Sequence, residues 1–286
     1  MNILDDLKLQ YKLGGIAMRL IYWNIACFLI SLVFYQFSIG IFAFPNWLAL
    51  SSDPQVFLFR PWTFLTYAFF HDGFFHLLFN MLVLNFASNL FLTFFTQKQY
   101  LGLYILGAIF SGVAFALSFY FLNFAGSIVG ASAAIMAILV ATTTYQPLMN
   151  VRLMFFGNVK LWHITAVILI LDLMQFRLDN TGGHISHLAG AIFGFIYIKL
   201  LQNGTDLSII ISKTLDFFAN LFRKSPSTPF TKVHKNYKKP TEKVTSRIVT
   251  KDKTQQQIDE ILDKISQSGY DCLTKEEKEF LFKAGK

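Results

Sequence analysis

Four polar residues stand out because their types and spacing could do chemistry in otherwise apolar stretches. Ser132 lies in "IVGASAAIMAIL" (128–139), two residues after Gly130; His187 opens "HLAGAIFG"; His76 and Asn80 lie four apart in "HDGFFHLLFN". A serine hydroxyl is a weak nucleophile at neutral pH. An imidazole within about 3 Å activates it by taking its proton, and later returns that proton to a leaving amine. The oxyanion formed by such an attack needs N–H donors, and His76, Asn80 and the backbone amide of Ser132 are groups of that kind. The expected chemistry is acyl transfer. Taken alone, Ser132 also reads as a small residue at a helix interface. The elements that would carry these residues decide between the two readings.

Those elements are built for lipid. The chain has 286 residues, is 54% hydrophobic and only 15% charged, where soluble domains carry about 25% charged residues. It reads as a membrane protein. The formal net charge of +8 is concentrated beyond Arg223, in stretches such as "KVHKNYKKP". A basic tail beside a membrane reads as a cytoplasmic segment facing anionic lipid. Nucleic acid is not an expected partner, because no aromatic-interleaved basic motif accompanies the lysines. Cys27 and Cys272 offer neither a disulfide framework nor metal-ligand spacing, and neither a metal nor a cofactor is expected. The apolar run after Arg19 is too long for a cleavable signal and reads as an anchor.

A spanning helix needs ~20 mostly apolar residues. On that basis spans are expected near 20–44, 69–95, 100–122, 128–145, 161–176 and 185–201, an all-α polytopic arrangement. Lys8, Lys12, Arg19, Lys98, Arg152 and Lys160 fall on one side, with only Arg60 and Arg177 at the edges of the other, so both termini are expected in the cytoplasm. The loop 45–68, with Trp47 and Trp62, suits the membrane interface. After the sixth span, "TDLSIIISKTLDFFANLF" carries Lys213 and Asp216 in mid-segment and reads as an interfacial amphipathic helix rather than a seventh span. A polar linker with Pro226, Pro229 and Pro240 follows. Then Ile258, Ile261, Leu262 and Ile265 recur at helical spacing, Gly269 stops that helix, and "TKEE" (274–277) has capping-box form. The domains expected are a membrane domain over 1–203, an interfacial helix over 204–224, and a linker with a small helical hairpin over 225–286.

Spans two, four and six run in the same direction. At ~1.5 Å per residue, His76, Asn80, Ser132 and His187 all lie within roughly 10 Å of the external surface. Gly190 and Gly194 share one helix face, and Ala133, Ala137 and Ala141 share another, a spacing that lets backbones approach closely. Other polar residues read differently. His184 is expected in a loop at the water boundary, and His163 at the cytoplasmic end of span five, away from the site. Asp172, inside span five, could orient a histidine as a third triad member, pair with a neighbouring polar group or line a water-filled pocket.

In that order and on those spans, "HDGFFHLLFN", "GASA" and "HLAGAIFG" resemble the rhomboid family of intramembrane serine proteases. The family pattern is a histidine, four residues, then H-x-x-x-N on the second helix, G-x-S-x on the fourth and H-x-x-G-x-x-x-G on the sixth. The resemblance covers roughly residues 19–201. It implies a six-transmembrane-helix bundle, Ser132 as nucleophile and His187 as general base and acid in a dyad without a carboxylate. It further implies that His76 and Asn80 line the oxyanion hole and that His71 is structural. Three positions depart from the pattern: Ala133 where glycine is commoner, Met136 where many members have a tyrosine that stacks on the histidine, and Thr63 after Trp62 where arginine is typical. The implied activity is cleavage of membrane-protein substrates within the lipid bilayer, by an integral protein of the bacterial inner membrane. An inactive relative that binds membrane clients and a transporter are the alternatives. A transporter lacks support because no internal repeat or Gly/Pro-broken helix pair marks a midplane site.

Overall fold

The computed structural model describes residues 2–36, 46–122, 125–154, 156–175, 180–221 and 253–284. They fall into two compact units, Met1–Lys224 and Ser225–Lys286. In the first unit, α1 (Ile3–Leu13) turns at Gly15, whose φ is +65°, into α2 (Gly15–Ser31). A two-residue strand β1 (Leu50–Ser51) and short helical turns precede α3 (Phe74–Leu92) and α4 (Gln97–Leu122). Strand β2 (Ser127–Ile128), α5 (Ser132–Tyr145), the hairpin β3 (Asn150–Leu153) and β4 (Gly157–Lys160), α6 (Leu161–Gln175), α7 (Thr181–Gln202) and α8 (Ser208–Leu221) complete it.

Among the described residues four helices are long and apolar enough to cross a membrane: Gly15–Phe34, Phe74–Leu92, Gln97–Leu122 and Thr181–Gln202. α5 and α6 are apolar but shorter, with 14 and 15 residues. At ~1.5 Å per residue α5 reaches only ~21 Å, less than the ~30 Å of hydrocarbon. It can be short because it is the central helix, buried along most of its length. At its N-terminal end Ile128 and Ala131 are buried, so the non-helical backbone there is shielded by protein.

Four starts differ from expectation by four or five residues: the first spanning helix begins at Gly15 instead of 20 and the second at Phe74 instead of 69, and the other two, each with a local reason, shape the site. The fourth helix was expected over 128–145 but starts at Ser132. Gly130 has φ +131°, outside the helical range, and Ile128 pairs with Leu50 across an antiparallel β1–β2 bridge. An apolar run of this kind looks alike as strand or helix, and the glycine decides where the helix begins. The sixth helix was expected from 185 but starts at Thr181. Asn180 adopts a left-handed conformation (φ 47°), and its Oδ1 accepts from the Gly183 amide at 3.2 Å. The pair of glycines at 182 and 183 lies inside the first turn. The later part of the first expected span, and Phe176 and Arg177, lie outside the described residues.

α5 and α7 meet backbone to backbone. A Cβ added to Gly190 would collide with the Ala133 carbonyl oxygen, and one added to Gly194 with that of Ala137. On its other side, Ala137 faces Gly107 of α4, where an added Cβ would lie 2.9 Å from the alanine methyl. This is the close approach that small residues at a four-residue period permit. The loop before α3 is tied down by Tyr67, whose hydroxyl donates to the Ala108 carbonyl at 2.8 Å, and by Tyr104, which donates to the Ala68 carbonyl at 3.0 Å. α8 starts against α4, where Ser208 sits over Gly102, and leaves Ile209, Ile210, Phe217 and Phe218 exposed.

The second unit is a helical hairpin. α9 (Lys253–Ser268) ends at Gly269, whose φ of +79° suits only glycine well, and α10 (Lys275–Ala284) follows. The capping box forms: the Thr274 amide donates to Glu277 Oε2 at 2.9 Å, and the Glu277 amide donates to Thr274 Oγ1 at 3.3 Å. Lys264 Nζ on α9 bonds Glu277 Oε1 at 2.5 Å. That contact raises the lysine pKa and lowers the glutamate pKa.

Candidate active site

Ser132 is the first residue of α5, and the turn before it is shaped by Gly130, whose amide donates to the Tyr67 carbonyl at 2.9 Å. His187 sits in the second turn of α7, three residues before Gly190. Because Gly190 rests on the residue after Ser132, the two functional side chains face each other: His187 Nε2 lies 2.6 Å from Ser132 Oγ. That is a short hydrogen bond, within the range expected between a nucleophile and its base.

Both residues line a cavity of about 500 Å³, together with His76, Asn80, Asp172 and Met136. Its walls are mainly apolar, with Phe79 and Val83 from α3 and Ile168 and Leu171 from α6. His76 and Asn80 share one face of α3, a turn apart. His76 Nδ1 bonds the Asp72 carboxylate, and this contact holds the Asp72 carboxyl below its ordinary pKa. The other ring nitrogen points at the serine turn, since a Cβ on Gly130 would lie 2.9 Å from His76 Nε2 and 3.5 Å from Ser132 Oγ. Asn80 Nδ2 donates to the His76 carbonyl at 2.8 Å; the amide nitrogen carries two hydrogens, so a second N–H remains for the cavity. His71 is buried against the His76 ring, edge to face at 5.0 Å between centroids, and contributes packing.

Two residues take positions that the sequence did not reveal. His184 was expected in a loop, but the early start of α7 places it inside that helix and buries it. Its Nδ1 lies 2.7 Å from Asp172 Oδ1, and His187 Nδ1 lies 2.6 Å from the same oxygen. Asp172 thus contacts both histidines and also lines the cavity. The available signal was the spacing of the histidines: residues three apart share a helix face once the helix is known to include both. His163 lies beside the Trp162 ring, tilted at 58°, at the start of α6 and is not among the residues lining the cavity.

The nitrogens of His184 and His187 and a carboxylate oxygen of Asp172 lie within 4.8 Å of one another, a donor set of the kind that binds divalent cations. Ligands held at 2.0–2.1 Å around a tetrahedral zinc stand about 3.4 Å apart. The contacts of 2.6 and 2.7 Å are hydrogen-bond distances instead.

Comparison with known families matches the Rhomboid domain over residues 59–203, from just before α3 to the end of α7. Residues 249–283, the terminal hairpin, match a family of unknown function (DUF6576). A search of curated proteins finds no match. The first match takes in half of the chain and the helices that surround the cavity, and the chain therefore belongs to the rhomboid family of integral membrane proteins.

Proposed function

We propose that this protein is a serine endopeptidase that cleaves transmembrane segments of other membrane proteins, with Ser132 as nucleophile and His187 as general base and acid. The observation that carries the reading is the 2.6 Å contact between Ser132 Oγ and His187 Nε2 inside a cavity. As Oγ attacks the scissile carbonyl carbon, its proton passes to His187 Nε2. The oxyanion meets the Ser132 amide, the second Nδ2–H of Asn80, and His76 Nε2–H. His76 donates there when both of its ring nitrogens carry hydrogen, the form in which Nδ1–H is paired with Asp72. Collapse breaks the C–N bond, and His187 returns its proton to the departing amine. Water then attacks the acyl-enzyme, with His187 again taking a proton.

A peptide bond inside a helix is not open to attack, so the substrate helix must unwind locally. Small and helix-breaking residues near its outer end are the expected preference. Loop charges support a cytoplasmic location for both termini, and the reading takes the membrane to be a bacterial inner membrane. On this reading residues 1–203 form the protease domain, the exposed apolar face of α8 lies in the interface within 204–224, and 225–286 is a cytoplasmic tail.

The test is reconstitution of the purified protein with a single-span reporter in proteoliposomes. Wild type is expected to cleave, and Ser132→Ala and His187→Ala are not. A wild type that binds the reporter without cutting it would indicate an inactive client-binding relative. Cleavage surviving in Ser132→Ala would overturn the reading. A fluorophosphonate probe is expected to label Ser132 in wild type only.

A further inference from the structure

We propose that Asp172 is a positioning residue that fixes the tautomer of His187, with His184 as the second donor that holds the carboxylate in place. The proposal rests on the proteolytic roles given above to Ser132 and His187. Asp172 Oδ1 takes both Nδ1 contacts, at 2.6 Å from His187 and 2.7 Å from His184. An ionised carboxylate only accepts, so each of these nitrogens must carry a hydrogen. A neutral His187 with hydrogen on Nδ1 has its lone pair on Nε2, the atom 2.6 Å from the serine hydroxyl. The opposite tautomer would present N–H to Ser132 and could not take its proton. Asp172 therefore selects the form that works.

Three further observations support the assignment. Asp172 sits on α6 while both histidines sit on α7, so the contact locks the ring from a neighbouring helix. The two imidazoles approach from successive turns with planes at 89°, and each places its Nδ1 within hydrogen-bond distance of one oxygen. Met136, one turn past Ser132 and lining the same cavity, offers only a thioether sulfur, a weak acceptor far poorer than a carboxylate at orienting an imidazole. The cost points the same way. The Asp172 side chain is 9% exposed, and its Oδ2 has no hydrogen-bond partner among the described residues. A half-satisfied carboxylate in an apolar helix is expensive unless it serves the site.

The experiment uses the full chain in proteoliposomes with the single-span reporter, comparing wild type, Asp172→Asn and Asp172→Glu. It is combined with 15N spectra of histidine-labelled protein. Asp172→Asn is expected to lower kcat by about 100-fold or more with KM little changed, while Asp172→Glu regains part of the loss. The wild-type spectrum is expected to show His187 with its hydrogen on Nδ1, and Asp172→Asn a mixture of tautomers. Asp172→Asn within threefold of wild-type kcat would overturn the proposal, as would an unchanged tautomer in a variant that has lost activity. If Asp172→Asn does not fold, the wild-type spectrum still decides: hydrogen on His187 Nε2 sinks the proposal. If wild type cuts nothing, the proteolytic reading fails separately, and the spectra alone sustain or reject the Asp172 contact.

Discussion

Substituting Gly190 by alanine tests whether backbone contact between α5 and α7 sets the distance between nucleophile and base. The new methyl would lie inside the van der Waals shell of the Ala133 carbonyl oxygen and 3.0 Å from its carbon, both backbone atoms with no rotamer to yield. Restoring ordinary contact requires the helices to part by about 1 Å at that point. Ala133 directly follows Ser132, and Gly190 lies one turn from His187, so the displacement is passed to the pair almost undiminished. Added to 2.6 Å, it takes Oγ and Nε2 to the edge of hydrogen-bond range. A misplacement of about 1 Å costs on the order of 100-fold in rate, and overpacking costs about 1–3 kcal/mol in stability. The assay is kcat on the reporter beside thermal unfolding of the same samples. Gly194→Ala is the internal comparison: its methyl meets the Ala137 carbonyl in the same way, one turn further from the serine. It should lose similar stability and less activity. Gly73→Ala, where nothing lies within 4 Å of the added methyl, should change neither. Wild-type kcat in Gly190→Ala would refute the reasoning, and so would equal losses of activity in Gly190→Ala and Gly194→Ala.

Three other outcomes are expected. Gly130→Ala combines φ +131° with a methyl 2.9 Å from His76 Nε2; strain of about 1–3 kcal/mol should slow fluorophosphonate labelling of Ser132 by at least about tenfold, and unchanged labelling would count against the proposed anion site. Thr274→Ala removes the capping box at α10 and should cost that helix about 1 kcal/mol, read as faster hydrogen exchange at its first amides with reporter cleavage unaltered. Treatment with EDTA should leave cleavage unchanged, since the proposed steps pass protons between Ser132, His187 and the leaving amine; loss of activity restored by zinc would point instead to metal held by Asp172, His184 and His187.

The parts of this molecule legible in the sequence are those that depend on residue type and local spacing. Apolar length marks the long helices, and a four-residue period of small residues marks the face where α5 and α7 touch. Thr274 and Glu277 announce their own helix start, because a capping box is satisfied within four residues. Helix α5 was placed four residues too early, because an apolar run contains no sign of the β1 partner 78 positions upstream. Its true start follows from the conformation of Gly130, which the residue type permits but does not require.

The misplacement of α7 had the larger consequence for the site. An asparagine and two glycines at 180, 182 and 183 ordinarily signal a loop, and here Asn180 takes a left-handed conformation and caps the helix with its own side chain. Starting the helix at Thr181 instead of 185 adds one turn, and that turn carries His184. With it in place, two imidazoles three residues apart project from one face toward α6, and a lone acidic residue in an apolar span acquires its donors. The same shift bears on Met136, which stands where many family members have a tyrosine and leaves open what supports the orientation of His187. The support comes from across the helix boundary, through an oxygen 2.6 Å from the ring. A nucleophile and its base can be recognised by type and depth, but the group that orients the base depends on where one helix begins. In this chain that start is decided by the backbone of Asn180.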